Sequence, residues 1–319
     1  MSVASRACTC LCLIATAACS RTDLTSQVHD AGPDGRPVGE VAYKITYLAS
    51  DPITPLRVWH SRTGSIEKLA WPYSGWFSAT YNGRYLVALG QPQPPDDACV
   101  VVLLDDHADL LATRTIPSGG VHEQCETIST RDPDASRTAV VVSRQDFDAG
   151  ASAMSFFVTL DTDGGYRELP WPYGGPFRYA PDGKTLTVID ADGRTIDTVL
   201  DDGSNLARLV QGGDPSFSFD QQKLVFLNCT SHLDCRVGVL DLATRAARTI
   251  PLPNAGQAAH PQFTPDGQSI VYAQKVTGSD FAYSLKMLSL GTSQVTVILE
   301  DMGWAGYGPP PLSVAADSN

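Results

Sequence analysis

Basic residues are scarce and never grouped. Against 35 Asp and Glu the 319-residue chain sets 23 Lys and Arg, for a formal charge of −12, and the positive charges are scattered singly. Such a field repels phosphate backbones and anionic lipid surfaces, which argues against nucleic acid as a partner. The apolar stretch at residues 7–18 is too short to span a bilayer. Metal-type cysteine spacing is missing as well, because no CxxC pair or Cys/His ligand pattern occurs. Enzyme signatures fail one by one. There is no G-x-S-x-G nucleophile elbow, and His122-Glu123-Gln124-Cys125-Glu126 ends in Glu where HExxH needs its second His. Gly183-Lys184-Thr185 lacks the leading glycine of a P-loop, since Arg178 stands there. No catalytic residue is expected.

What is present begins with an export signal. Arg6 is followed by apolar or small residues, and Ala15-Thr16-Ala17 offers small-residue cleavage geometry. The run ends at Ala17-Ala18-Cys19, which resembles the bacterial lipobox, where the cysteine is acylated and becomes the mature N-terminus. Thr16 departs from the usual Leu, so ordinary cleavage beside Ala17 or Ala18 is the alternative. Cysteine parity favours acylation. Once residues 1–18 are removed, Cys99, Cys125, Cys229 and Cys235 can pair, which leaves Cys19 as the odd one. A Cys229–Cys235 bridge would staple a hairpin, and Cys99 with Cys125 would close a longer loop. Residues 19–39 form a Gly-, Pro- and Asp-rich tether with a coil-like reach of about 25 Å. Ser20 after the cysteine leans towards the outer membrane.

A repeat governs the remainder. An aromatic, a tight turn and a Val/Ile/Leu/Tyr strand recur with turns at residues 82, 134, 182, 220 and 266. Pro presets φ, Asp bonds its own backbone and Gly supplies positive φ, so each turn reverses the chain between two strands. Downstream of each comes an apolar strand, a polar turn and another apolar strand, at 56–69, 100–116, 156–169, 196–209, 237–250 and 285–299. These read as the outer hairpins of four-stranded blades. The fold class is therefore all-β: a six-bladed β-propeller over residues 40–308, with a disordered tail at 309–319. Six hairpins but five inner turns leave the first blade, whose second strand is 43–48, one strand short. Residues 303–307 are the candidate that returns to close the ring and remove the exposed sheet edges. Leu69-Ala70-Trp71-Pro72-Tyr73 and Leu169-Pro170-Trp171-Pro172-Tyr173 fit equivalent crossings between blades.

The turns Tyr179-Ala180-Pro181-Asp182-Gly183-Lys184 and Phe263-Thr264-Pro265-Asp266-Gly267-Gln268 resemble the repeat of TolB-like (WD40-like) propellers. That family includes periplasmic adaptors, sensor domains and accessory domains of peptidases, so the resemblance implies architecture and leaves activity open.

Propellers gather function where loops converge at one end of the axis. The residues just before each innermost strand are Trp76, Glu123, Gln124, Arg178, Asp214, His260 and Trp304, an assortment suited to a polar partner. Asp161-Thr162-Asp163-Gly164 and Asp190-Ala191-Asp192-Gly193 could hold Ca²⁺, but neither continues to a distal Glu and both suit turns better. No cofactor is expected. The reading is a non-catalytic binding or scaffolding propeller of the bacterial cell envelope, held to the membrane only by the N-terminal lipid and contacting a protein or peptide. A Ca²⁺-assisted hydrolase or lactonase and a structural envelope lipoprotein are the alternatives.

Overall fold

The computed structural model describes residues 41–319 except 50–54, 72, 74–75, 91–97, 117–121, 131–136, 146–153, 162–164, 232–233, 253–256, 280–281, 304–310 and 318–319. The signal segment, Cys19, the tether and Trp304 lie outside the described residues. Everything described is strand, turn or connection.

Blade 1 takes β1 (Tyr43–Leu48), β2 (Leu56–His60) and β3 (Ile66–Leu69). Blade 2 is β4 (Phe77–Ala79), β5 (Tyr85–Leu89), β6 (Val100–Asp105) and β7 (Leu110–Thr115). Blade 3 is β8 (His122–Thr130), β9 (Arg137–Gln145), β10 (Met154–Asp161) and β11 (Tyr166–Pro170). Blade 4 follows as β12 (Gly174–Tyr179), β13 (Thr185–Ile189), β14 (Thr195–Leu200) and β15 (Ala207–Gln211). Blade 5 is β16 (Gly213–Phe217), β17 (Lys223–Ser231), β18 (Asp234–Asp241) and β19 (Ala247–Pro251). Blade 6 is β20 (Ala258–Phe263), β21 (Ser269–Lys275), β22 (Tyr283–Ser289) and β23 (Val295–Leu299). The last strand, β24 (Leu312–Ala316), returns to pair with β1 and completes blade 1 in the order β24-β1-β2-β3.

All six outer hairpins stand where the sequence puts them, in six four-stranded antiparallel sheets. The closing strand does not. It is β24, inside the segment expected to be a disordered tail, and not residues 303–307, most of which lie outside the described residues. The physical reason is periodicity. Leu312-Ser313-Val314-Ala315 sends apolar Leu312 and Val314 into the blade 6 interface while Ser313 turns to the axis, an alternation too short to stand out by itself. The adjacent turn is built to receive it. Ala316 donates its N–H to the Tyr81 carbonyl at 2.8 Å, and a Cβ on Gly83, at φ +69°, would sit 2.5 Å from the Ala316 carbonyl oxygen.

Cohesion lies between blades. Each of six apolar clusters among the described residues spans one blade-to-blade interface. Side chains alternate faces along a strand, so β9 sends Val140 and Val142 to blade 2 and Ala139 and Val141 to blade 4. This explains why the second strand of each blade is an almost continuous apolar run: both of its faces are buried. The two crossings fill such interfaces. Trp71 packs edge-on to Phe77 at 5.8 Å, and Trp171 stacks on Phe157 at 5.0 Å.

The cysteines form two bridges. Cys229–Cys235 staples the β17–β18 hairpin with Cα atoms 4.0 Å apart, and Cys99–Cys125 ties the chain before β6 in blade 2 to β8 in blade 3 with Cα atoms 5.6 Å apart. The latter crosses a blade boundary, which a loop-closing role alone does not imply.

Candidate functional site

The innermost strands β4, β8, β12, β16, β20 and β24 line the axis. At one level each contributes one residue to a common chamber: Ser78, Ser129, Arg178, Ser216, Gln262 and Ser313. The collar was legible in principle. Arg178, Ser216 and Gln262 each precede the aromatic that opens a repeat turn (Tyr179, Phe217, Phe263), so stacking the repeats on those turns isolates the position. Of the six, sequence reasoning singled out Arg178 alone.

Gln262 has a structural duty. Its side-chain amide donates to the Leu312 carbonyl at 2.6 Å while its carbonyl accepts the Val314 N–H at 2.9 Å, so it acts as a strand partner for β24.

Two residues before the collar position, β16 and β20 bulge. The register slips between Gly213 and Ser216 and between Ala259 and Gln262, and inside these bulges Asp214 and His260 hold left-handed φ values of 50° and 52°. A non-glycine residue held there costs on the order of 1 kcal/mol or more, and bulges re-aim side chains. Here they aim two neighbouring blades at each other. An Asp214 carboxylate oxygen accepts the His260 backbone N–H, and His260 Nδ1 lies 3.2 Å from the same oxygen. Asp214 and His260, like Arg178, sit within strands and not just before them as the sequence suggests. From blade 2, Trp76 turns its ring edge-on to His260 at 5.5 Å.

Burial pushes the Asp214 carboxyl up, but the His260 ring and backbone N–H, with the more distant Arg178 charge, outweigh it and hold it down at about 2. A carboxyl depressed on folding adds stability that is complete above its unfolded value and is lost as pH falls through the folded one. Stability should therefore drop by roughly 2 kcal/mol between about pH 4 and pH 2. Urea unfolding across that range is expected to show this slope in the wild type and a flatter one in Asp214→Asn; identical slopes would disprove the pairing.

The axis is narrow at the end away from Trp76. At the far end Tyr81 of blade 2 meets Phe219 of blade 5 edge-on at 5.0 Å, and the Tyr81 hydroxyl donates to the Tyr179 carbonyl. The space between is divided into chambers of about 30 and 20 Å³. Trp76, Arg178 and His260 line the first, close to Asp214.

The remaining expected residues are placed as follows. Glu123 and Gln124 lie on β8, further towards the end where the inner strands begin; their side chains, like Trp304, are outside the described residues. The Asp190 carboxylate accepts the Arg194 and Thr195 N–H groups, a turn-forming use of its oxygens. Among the described residues no group of three or more His, Cys, Asp or Glu side chains is arranged to hold a metal ion.

No family model matches the chain, and no curated protein does. Solved structures do. TolB from Acinetobacter baumannii aligns with TM-score 0.60 and 15% identity, covering 87% of this chain and 67% of that one. A propeller from a nidogen/laminin complex aligns with TM-score 0.59 and 13% identity over 86% of this chain and 98% of that one. An oligogalacturonate lyase in complex with manganese aligns with TM-score 0.53 and 13% identity over 77% and 70%. At these identities the likeness establishes the TolB-like six-bladed fold and nothing finer.

Proposed function

We propose that this TolB-like propeller is a non-catalytic binding module of the bacterial cell envelope, tethered through a lipid on Cys19 and docking a protein or peptide on the axial face that carries Trp76. One observation carries the reading. Trp76 is 37% exposed although its inner edge rests on a His260 that is only 4% exposed and is oriented by Asp214. A large aromatic on a rigid base, open to solvent and surrounded by polar groups, is the common form of an interface anchor.

The axial chambers have no room for a substrate, although a pocket of about 300 Å³ lies away from the axis between blades 3 and 4, beside Trp171 and Leu186. Substrate pockets run from about 300 Å³ upwards, whereas the larger axial chamber offers about 30 Å³. The fold is shared with both binding proteins and enzymes, so it does not choose between them.

Crosslinking in intact envelope followed by capture of this chain tests the reading. Wild type is expected to retain a specific partner, and Trp76→Ala to lose it, a weakening of about 2 kcal/mol or some thirtyfold, with the melting temperature unchanged. Equal capture by both proteins, or none above control, would remove the proposal.

A further inference from the structure

The chemistry of the chamber walls is one-sided. Arg178 lines both chambers, and its guanidinium makes no hydrogen bond or ion pair with any described residue. His260 turns Nε2 into buried space without a partner. Its other nitrogen faces the Asp214 carboxylate at 3.2 Å, which orients the ring and leaves Nε2 as the atom that meets the chamber. Ser129 Oγ already accepts the Tyr179 N–H at 3.1 Å, and Ser313 Oγ accepts the Ala79 N–H at 3.2 Å. Each hydroxyl therefore keeps its proton to donate elsewhere. Among the described residues lining the two chambers there is no carboxylate; the adjoining Asp214 is occupied by His260, and Gln262 is occupied by β24.

We propose that the channel binds one carboxylate-class monoanion between the Arg178 guanidinium and the Nε2 edge of His260, above the serine hydroxyls. A fixed cation, a buried ring nitrogen without a partner, and hydroxyls left with donors suit an anion, and charge-assisted hydrogen bonds in buried space are the strong ones. Volume sets the class. A water-sized occupant needs about 10–15 Å³, so chambers of about 30 and 20 Å³ accept a single carboxylate group and exclude a sugar or nucleotide. Access is from the side of Trp76, since Tyr81 and Phe219 narrow the other end.

Among the described residues the groups around the His260 ring are Asp214 from β16, Arg178 from β12 and the uncharged Trp76. The carboxylate is supplied either by a free small acid or by the chain end or side chain of a docked peptide. The site itself stands whether or not the mouth docks a partner.

Formate, the smallest carboxylate, is the probe. Titrated into the full chain with ¹³C-formate line broadening as readout and with sulfate balancing ionic strength, it should bind saturably. Arg178→Gln should weaken binding at least about tenfold, and Arg178→Lys should recover part of the loss. His260→Leu, which removes the unpartnered ring nitrogen, should weaken binding as well. Arg178 is partly exposed, so its variants keep the test valid if the His260 variant does not fold. Tetraglycine with a free or an amidated C-terminus identifies the source: binding that needs the free carboxylate while formate is inert assigns the group to a docked peptide. No saturable binding by either probe, or equal binding by a folded Arg178→Gln protein, overturns the proposal.

Discussion

A chain ending at Pro311 is expected not to reach a cooperatively folded state. The truncation deletes β24, whose Leu312 and Val314 are each 3% exposed, and uncovers Tyr43, Ile45 and Tyr47 of β1. Burying a Leu or Val side chain is worth about 1.5–3 kcal/mol. The two lost side chains and the newly exposed strand together remove more than about 5 kcal/mol, comparable with the whole stability of a typical domain. Gln262→Leu isolates part of the same closure. It strands the Leu312 carbonyl and the Val314 N–H, and an unsatisfied buried group costs about 1–3 kcal/mol, so a loss of roughly 2–4 kcal/mol is expected. Chemical unfolding measures both. A truncated protein that melts cooperatively near the wild-type temperature would show that the ring closes by other means.

The second large effect concerns the cysteines. Removing the Cys99–Cys125 bridge with a double alanine variant is expected to cost about 3.5 kcal/mol, against about 2.4 for Cys229–Cys235, because the first closes a longer loop in the unfolded chain. The two differ in kind as well. Cys229 and Cys235 lie on paired strands that remain hydrogen-bonded without the bridge, whereas Cys99–Cys125 joins neighbouring blades. Unfolding under oxidising and reducing conditions, with each pair deleted in turn, ranks them. Equal or reversed costs would mean that ordering of the unfolded chain does not govern their contribution.

These expectations divide according to the range of the interactions behind them. Local chemistry was readable from the chain: the Pro-Asp-Gly turns, the six polar-turn hairpins and the Cys229–Cys235 staple each depend on residues close together in sequence, and each led to the right element. The closing strand was not readable. Leu312-Ser313-Val314-Ala315 is short and follows Pro309-Pro310-Pro311, so local signals mark it as tail; only β1, more than 260 residues earlier, makes it a strand. The same holds for the axial residues. Sequence position brought Trp76, Arg178, Asp214 and His260 to notice as residues just before inner strands, although the last three lie inside them. It could not reveal that two bulges turn Asp214 and His260 towards each other, nor that four serines complete the collar.

The amino-acid sequence by itself determined the number of blades and the order of their strands, because turn chemistry and period-two burial act over a few residues. Which strand seals the ring, which side chains meet on the axis and how little room lies between them were decided only by the tertiary structure, where six inner strands from distant parts of the chain come together.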